Sequence, residues 1–182
     1  MKRLTIVALS ALMSVNAFAL FSETEPNNTR ATANTITPGP LPWADVGLMS
    51  LTTNDTDFFK IDLLAGQTLV ATAVPPFGAT PNTVMALFDS SSNTALQSND
   101  DIGISPGSII VFTAPAAGTY YIAITGFRQG GNQSDISYYE NASHSQVGAY
   151  ILTVSVVPEP ASMLALGVGL AGLAGLRRRN RK

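Results

Sequence analysis

The feature that most constrains the fold is a regular series of short runs rich in β-branched and aromatic residues, each bounded by Gly, Pro, Asn or Ser. The turns include Pro75-Pro76 and Ala117-Gly118, and no amphipathic helical pattern separates the runs. Strands alternating with helices would be needed for a parallel sheet, so this spacing favours two antiparallel sheets. The sequence therefore predicts an all-β protein, a jelly-roll-like antiparallel β-sandwich of about eight strands.

The predicted strands share short length and turn-bounded ends, and they lie near 45–51, 57–63, 67–74, 84–89, 94–99, 108–113, 119–126 and 149–156. Within the second of them, alternation predicts that Phe59, Ile61 and Leu63 face the core while Phe58, Lys60 and Asp62 face out. The runs 108–112 and 120–124 are apolar on both faces, which suits central strands. One long polar interruption, 127–148, separates the last two strands.

Both ends of the chain carry a different pattern. Lys2 and Arg3 precede a short apolar run, which ends in the small-x-small sequence from Ala17 to Ala19. This arrangement predicts a helical secretory signal peptide over residues 1–19, cut after Ala19. The remaining body of the chain, residues 20–157, is then exported.

The last 25 residues combine a Pro158-Glu159-Pro160 turn, an apolar stretch at 161–176 and a basic end. The basic residues are Arg177, Arg178, Arg179, Arg181 and Lys182. Sixteen helical residues give about 24 Å against a hydrocarbon core of about 30 Å, so a buried soluble helix is the alternative to a membrane span. The basic end favours a C-terminal transmembrane helix, with the membrane as partner and the C-terminus in the cytoplasm.

In this order, the Pro-Glu-Pro turn, the apolar helix and the arginines resemble the PEP-CTERM sorting signal of Gram-negative bacteria. The resemblance implies three segments: a signal peptide at 1–19, an exported domain at 20–157 and a sorting signal at 158–182. It also implies an exosortase, a membrane-embedded cysteine protease, as the processing partner. Such proteins tend to occur in bacteria that make exopolysaccharide and a biofilm matrix, which predicts a cell-envelope or extracellular location.

Charge is distributed unevenly along the chain. Seven of its ten basic residues lie in the two end segments, so the body carries three basic residues against eleven acidic ones, a formal charge of −8. An acidic body without a basic patch excludes nucleic acid as an expected partner and favours cations. The chain has no cysteine, which excludes disulfides and a cysteine nucleophile.

Two acidic groups are candidates for holding a cation. In an extended leader, alternate residues share a face, so Glu23, Glu25 and Asn27 can present oxygen atoms together. Asp57 falls on the side of its strand that Phe59 buries, and a carboxylate at the rim of a core needs a partner. The alternative is that the glutamates form a solvated leader and that the aspartates are turn residues.

A second series of motifs spans the body: Glu-x-Glu-Pro-Asn-Asn from residue 23, Asp-Thr-Asp-Phe-Phe from 55, Ser-Asn-Asp-Asp from 98, Ala-Gly-Thr-Tyr-Tyr-Ile from 117 and Gly-Ala-Tyr-Ile-Leu-Thr-Val from 148. Taken in this order they are similar to the bacterial pre-peptidase C-terminal domain, a β-sandwich appended to many secreted proteases. The resemblance implies a Ca²⁺ site in the calcium-binding members. The matching candidates here are Glu23, Glu25, Asn27, Asn28, Asp55 and Asp57. Asn28 stands where an aspartate is common, which removes one charge.

Catalysis is not expected, because none of the common catalytic motifs is present and the one histidine, His144, lies in a polar loop where a surface role is predicted. Two non-enzymatic hypotheses remain. The first is a binding module for matrix polysaccharide or protein, with Trp43, Phe127, Tyr138 and Tyr139 as candidate aromatic contacts. The second is a structural matrix or surface protein that has no discrete ligand site.

Overall fold

The computed structural model describes residues 21–78, 80–158 and 168–169. Within these residues, a 3₁₀ turn at Arg30–Thr32 is followed by nine strands and by one short helix between the last two strands. They are β1 (Asn34–Ile36), β2 (Trp43–Leu51), β3 (Thr56–Leu63), β4 (Thr68–Val74), β5 (Thr83–Asp89), β6 (Gln97–Asn99), β7 (Ser108–Thr113), β8 (Gly118–Gly126), α1 (Ser137–Glu140) and β9 (Gly148–Val157). The structure thus confirms an all-β fold with strands in all eight predicted places.

The strands form two sheets. One has the order β1-β3-β8-β5-β6 and the other the order β2-β9-β4-β7. Every pair is antiparallel except β1 with β3, which run parallel. The strand β1 was not predicted, because it has only three residues and a polar start.

The main core lies between the inner faces of the two sheets. Phe59, Ile61 and Leu63 are buried there, as the alternation of β3 predicts, and they share one apolar cluster with Leu152 and Val154 of β9. Because side chains on a strand alternate between faces, each sheet can supply one apolar surface to this interface. The strand pattern therefore fixes which residues face the centre of the sandwich.

A second apolar cluster lies on the outer face of the five-stranded sheet. Phe58, which alternation predicts to face solvent, has an exposed fraction of 0% there, so that prediction was wrong. The physical reason is the segment 127–147, which folds back over this face and covers Phe58 with Tyr138, Tyr139 and Ile136. The predicted long polar interruption therefore contains a short helix and its own buried residues.

The two strands that are apolar on both faces have different positions. The strand β8 is central in its sheet, as predicted, because β3 and β5 flank it. The strand β7 is an edge strand, so its predicted central position was wrong, and Val111 on its outer face is 53% exposed. An apolar outer face thus identifies a central strand only where a further layer covers it.

Several predicted features lie outside the described residues. These are the signal-peptide residues Ala17 and Ala19, the sorting residues Glu159 and Pro160, and the basic residues Arg177, Arg178, Arg179, Arg181 and Lys182. Pro158 is described and follows the last residue of β9. Within the described part of the chain, no helix is long and apolar enough to span a bilayer.

Candidate metal centre

Three carboxylates meet at the end of the sandwich where β3 begins. Glu23 and Glu25 belong to the leader that precedes β1, and Asp57 is the second residue of β3. Each offers one carboxylate oxygen, and the three oxygens lie within 4.8 Å of one another. We call this group the carboxylate cluster.

The leader is held against the sandwich by backbone contacts and by close approach. The Phe58 backbone N–H donates to the Asn27 carbonyl at 2.9 Å, and the Ser50 backbone N–H donates to Glu23 Oε1 at 2.8 Å. A Cβ atom at Gly47 would overlap the Phe21 carbonyl oxygen, so glycine is needed where the leader crosses β2. These contacts bring Glu23 close to Asp57, whose side chain points inward as the alternation of β3 predicts.

Buried oxygens of three predicted ligands have no hydrogen-bond partner among the described residues. Asp57 has an exposed fraction of 0%; its Oδ2 accepts a 2.5 Å hydrogen bond from the Tyr150 hydroxyl, whereas its Oδ1 accepts none from the described part of the chain. The same holds for the buried Glu23 Oε2 and Asn27 Oδ1. Because an unpartnered buried oxygen costs free energy, three such atoms from the predicted ligands are an arrangement that a cation would stabilise.

Burial and electrostatic repulsion raise the pKa values of Asp57 and Glu23. Burial is the largest cause that raises the pKa of Asp57 to about 9, followed by the negative charge of Glu23. Burial likewise raises the pKa of Glu23, against the hydrogen bond from Ser50. No basic side chain is among the main causes given by the described residues for these two pKa values. Asp57 and Glu23 are therefore acids in poorly hydrated positions whose ionised forms no nearby cation of the described chain stabilises.

Asp55 and Asn28, also predicted as ligands, are arranged differently. Asp55 Oδ1 accepts hydrogen bonds from Asn28 Nδ2 at 3.0 Å and from the Thr56 N–H at 2.9 Å. Its Oδ2 accepts from both the backbone N–H and the hydroxyl of Thr52. The structure does not include Asp55 in the cluster of carboxylates within 4.8 Å. In this arrangement Asp55 and Asn28 tie the leader to the turn between β2 and β3.

His144 is not on the surface, so that prediction was wrong. Its exposed fraction is 7%, and its Nε2 lies 2.8 Å from the Asp55 carbonyl oxygen. Its Nδ1 accepts a hydrogen bond from the Gln146 backbone N–H, so Nε2 carries the proton that is donated to Asp55. The Asn54 backbone N–H donates to the His144 carbonyl at 3.0 Å, and the His144 backbone N–H donates to Asn54 Oδ1 at 2.9 Å; Asn54 adopts a positive φ of 60°. His144 thereby fixes the end of segment 127–147 to the turn before β3.

Tyr150 is the site residue that sequence reasoning did not single out. It is the third residue of β9 and faces inward, and its hydroxyl bridges the two sheets by its bond to Asp57. A tyrosine at an inward position of a strand whose other inward residues are aliphatic is a signal, because a buried hydroxyl needs a partner. The contact between Tyr150 and Asp57 depends on how the two sheets are placed against each other, which local sequence patterns do not determine.

The four predicted aromatic contacts divide into two pairs. Tyr138 and Tyr139 have exposed fractions of 1% and 0%, so they are not available as surface contacts and that prediction was wrong. Trp43 is partly buried against the main core, and Phe127 is partly buried against the second cluster.

Comparison with known families accounts for both the domain and the tail. Residues 55–126 match the model of the bacterial pre-peptidase C-terminal domain, and residues 156–179 match that of the PEP-CTERM protein-sorting motif. The chain carries a pre-peptidase C-terminal domain and a PEP-CTERM motif. The sorting motif implies export, sorting to the cell envelope of a Gram-negative bacterium and processing by an exosortase. No curated protein matches the chain significantly.

Solved structures of similar shape include two kinds of protein. The periplasmic inhibitor of g-type lysozyme PliG from Aeromonas hydrophila is 21% identical, with a TM-score of 0.46 over 68% of this chain and 96% of that one. PliG from Salmonella Typhimurium is 12% identical, with a TM-score of 0.41 over 68% and 99%. The pre-peptidase C-terminal domain of a collagenase from Bacillus anthracis is 17% identical, with a TM-score of 0.43 over 68% and 93%.

Proposed function

We propose that the pre-peptidase C-terminal domain binds one Ca²⁺ ion at the carboxylate cluster. The observation that carries this proposal is the set of buried oxygens without partners on Glu23, Asn27 and Asp57, beside the carboxylate of Glu25. Calcium takes six to eight oxygen ligands in flexible geometry, whereas Zn²⁺ prefers nitrogen and sulfur and Mg²⁺ retains most of its waters. An all-oxygen donor set drawn from a leader and a strand end suits calcium best.

A bound ion would act here on stability. It would offset the repulsion between Asp57 and Glu23 and would link the leader to the start of β3. Asn28 and Asp55 stay predicted ligands. They also hold the leader close to the cluster, since Asn28 Nδ2 donates a hydrogen bond to Asp55 Oδ1.

Thermal melting of the full-length chain in detergent tests the proposal. At about 1 mM calcium, a site with a Kd of about 0.1 mM stabilises the folded state by about 1.4 kcal/mol, which raises the Tm by about 5 °C. The substitution Asp57→Ala abolishes this rise. Each variant is compared with itself in chelator, so a general loss of stability cancels.

Asp62→Ala is the matched control, because Asp62 is an exposed aspartate on the opposite face of the same strand. We expect this variant to keep the full rise in Tm. Equal melting curves of the wild type in calcium and in chelator would refute the calcium proposal.

For the exported protein as a whole, we propose a non-catalytic binding module in a biofilm or exopolysaccharide matrix. The sorting motif supports a location where matrix components are accessible. The carboxylate cluster supports the non-catalytic role, because an ion bound by Asp57 and Glu23 would stabilise the fold by linking the leader to β3. Retention of matrix polysaccharide or protein by the immobilised protein, measured against heat-denatured protein, tests this role.

Failure to retain any matrix component, together with loss of biofilm cohesion on deletion, would favour the alternative of a structural matrix or surface protein. That result would leave the calcium proposal intact, because the melting experiment tests it separately.

A further inference from the structure

A groove lined by an arginine and by neutral polar side chains, unlike the acidic cluster, lies beside the turn between β2 and β3. It has a volume of about 520 Å³ and opens between this turn, the start of segment 127–147 and its end. That volume is within the range of about 300–1,000 Å³ typical of small-molecule sites. We call it the Arg128 groove; residues that line it include Asn54, Phe127, Arg128, Gln129, Ser143 and Ser145.

The charge of this groove is opposite to that of the domain around it. Among the described residues that line it, none is acidic, and Arg128 is the one permanently charged side chain. The exported body has only two other basic residues, Arg30 and Lys60, and neither lines this groove. An isolated guanidinium in a body of charge −8 selects ligands with a single anionic group and disfavours ligands of high negative charge density.

Arg128 is held in one orientation. Its Cζ lies 4.3 Å from the centroid of the buried Tyr138 ring, and its Nη1 donates to the Asn141 carbonyl at 3.1 Å. The Tyr138 hydroxyl lies within hydrogen-bond distance of both the backbone N–H and the carbonyl of Arg128. Within the described residues, Nε and Nη2 have no partner, so the edge of the guanidinium that carries two parallel N–H groups is free. Such an edge binds a carboxylate in a bidentate manner.

The remaining lining favours a hydroxyl-rich ligand. The hydroxyls of Ser143 and Ser145, the amide of Gln129 and the amide nitrogen of Asn54 make no hydrogen bond within the described residues. These groups donate and accept as sugar hydroxyls do, and the partly buried Phe127 supplies one aromatic contact. An acidic peptide offers carboxylates and backbone amides but no row of hydroxyl groups, so these side chains match it less well.

We propose that the Arg128 groove binds a carboxylate-bearing sugar, a uronic acid residue, within a polysaccharide. Arg128 holds the carboxylate, and the hydroxyl and amide side chains hold the neighbouring hydroxyl groups of the sugar. This inference rests on the proposal that the exported domain is a binding module, and it names the ligand class and the residues that bind it.

Titration calorimetry of the full-length chain in detergent tests the inference with a panel of galacturonate, glucuronate and mannuronate oligomers. Their methyl esters serve as the matched ligands, because esterification removes the charge and keeps the sugar. The titrations are performed in chelator, since calcium cross-links uronate chains. At least one uronate oligomer binds, and its ester binds about tenfold more weakly, the loss expected for one charge-assisted pair.

The substitution Arg128→Lys keeps the charge and removes the bidentate edge, and it weakens uronate binding by about tenfold. Lys60→Ala, which removes a positive charge from the outer face of β3, leaves the affinity unchanged. We expect Arg128→Lys to have the Tm of the wild type, which would show that the fold is retained. If its Tm falls, the Arg128 Nε resonance in the nitrogen-15 NMR spectrum of the wild type, recorded with and without ligand, tests the same contact.

Three results obtained with ligands that bind would overturn the inference. They are equal binding of acid and ester, uronate binding unaffected by Arg128→Lys, and equal or tighter binding of a glutamate oligomer, which would identify an acidic peptide site. Absence of binding to the whole uronate panel would also overturn it. Retention of neutral matrix polysaccharide in that case would leave the binding-module proposal standing, so the two failures are distinguishable.

Discussion

At the scale of single residues, the buried carboxylate of Asp57 determines which side chains the leader must bring close to it. Alternation on β3 places its side chain on the same face as Phe59, so the sequence alone predicts a carboxylate at the rim of the core. What the sequence did not show is that Tyr150 satisfies one of its oxygens and that the leader brings a second acid close to the other. Those contacts join segments far apart in the chain, so they depend on the whole fold.

The raised pKa of Asp57 predicts how the stability of the metal-free protein depends on pH. In the folded state Asp57 keeps its proton up to a pKa of about 9, whereas the ordinary value is 3.8. Between these values the folded state binds more protons than the unfolded state, so this group makes the free energy of unfolding fall as pH rises. We expect the Tm of the chelator-treated wild type to fall, relative to that of Asp57→Asn, between about pH 5 and about pH 8.

Asp57→Asn is the appropriate reference for that measurement, because it retains the size of the side chain and does not titrate. Asp89 acts in the opposite direction, because hydrogen bonds from Ser91 and Ser92 lower its pKa. The difference between the two proteins reports residue 57 together with its electrostatic interaction with Glu23. Parallel pH profiles of wild type and Asp57→Asn would contradict the proposed burial of this carboxyl.

At the scale of elements, segment 127–147 is the part of the fold that local patterns describe least well. Strands are recognisable because their period of two is local, and all eight predicted strands are present. The three-residue strand β1 and the helix α1 are too short for a periodic signal. The packing of α1 on the outer face of β3 is a non-local contact, so alternation alone assigned Phe58 to solvent.

The covering role of this segment predicts a large effect at Phe58. Truncation of a fully buried aromatic side chain costs about 3–5 kcal/mol, whereas a surface substitution changes stability by about 0.5 kcal/mol or less. We expect Phe58→Ala to lower the free energy of unfolding by the larger amount in a denaturant titration. Lys60→Ala, two residues further along the same face, serves as the control and changes it little. A loss below 1 kcal/mol, of the order seen at surface positions, for Phe58→Ala would show that the segment does not cover this face in solution.

At the scale of the whole molecule, the carboxylate cluster lies near the start of β9, whereas Pro158, the last described residue before the tail, follows the end of the same strand. The strand β9 begins near Tyr150, beside the cluster, and runs ten residues to Val157, directly before Pro158. At about 3.3 Å per residue this strand is about 33 Å long. The cluster and the Arg128 groove therefore lie far from Pro158, so neither site is at the end of the domain to which the tail is attached.

Replacing Pro158, Glu159 and Pro160 together by alanine tests the processing of the tail. The motif implies recognition by an exosortase, so we expect the variant to keep its C-terminal segment while the wild type loses it. Mass spectrometry of the mature protein from the producing cells measures this directly. A control variant with Ser155→Ala, which precedes the motif in β9, is processed normally. Identical C-termini for wild type and the triple variant would contradict the role of these residues.

The central claim is that the carboxylate cluster is a calcium site. Calorimetric titration of Ca²⁺ into the metal-free, full-length protein tests it most directly, with Asp57→Ala titrated in parallel. We expect one ion per chain for the wild type, with a Kd of about 0.1–1 mM, the range of extracellular calcium modules, and no binding by the variant. Absence of binding by the wild type, or equal binding by both proteins, would contradict it.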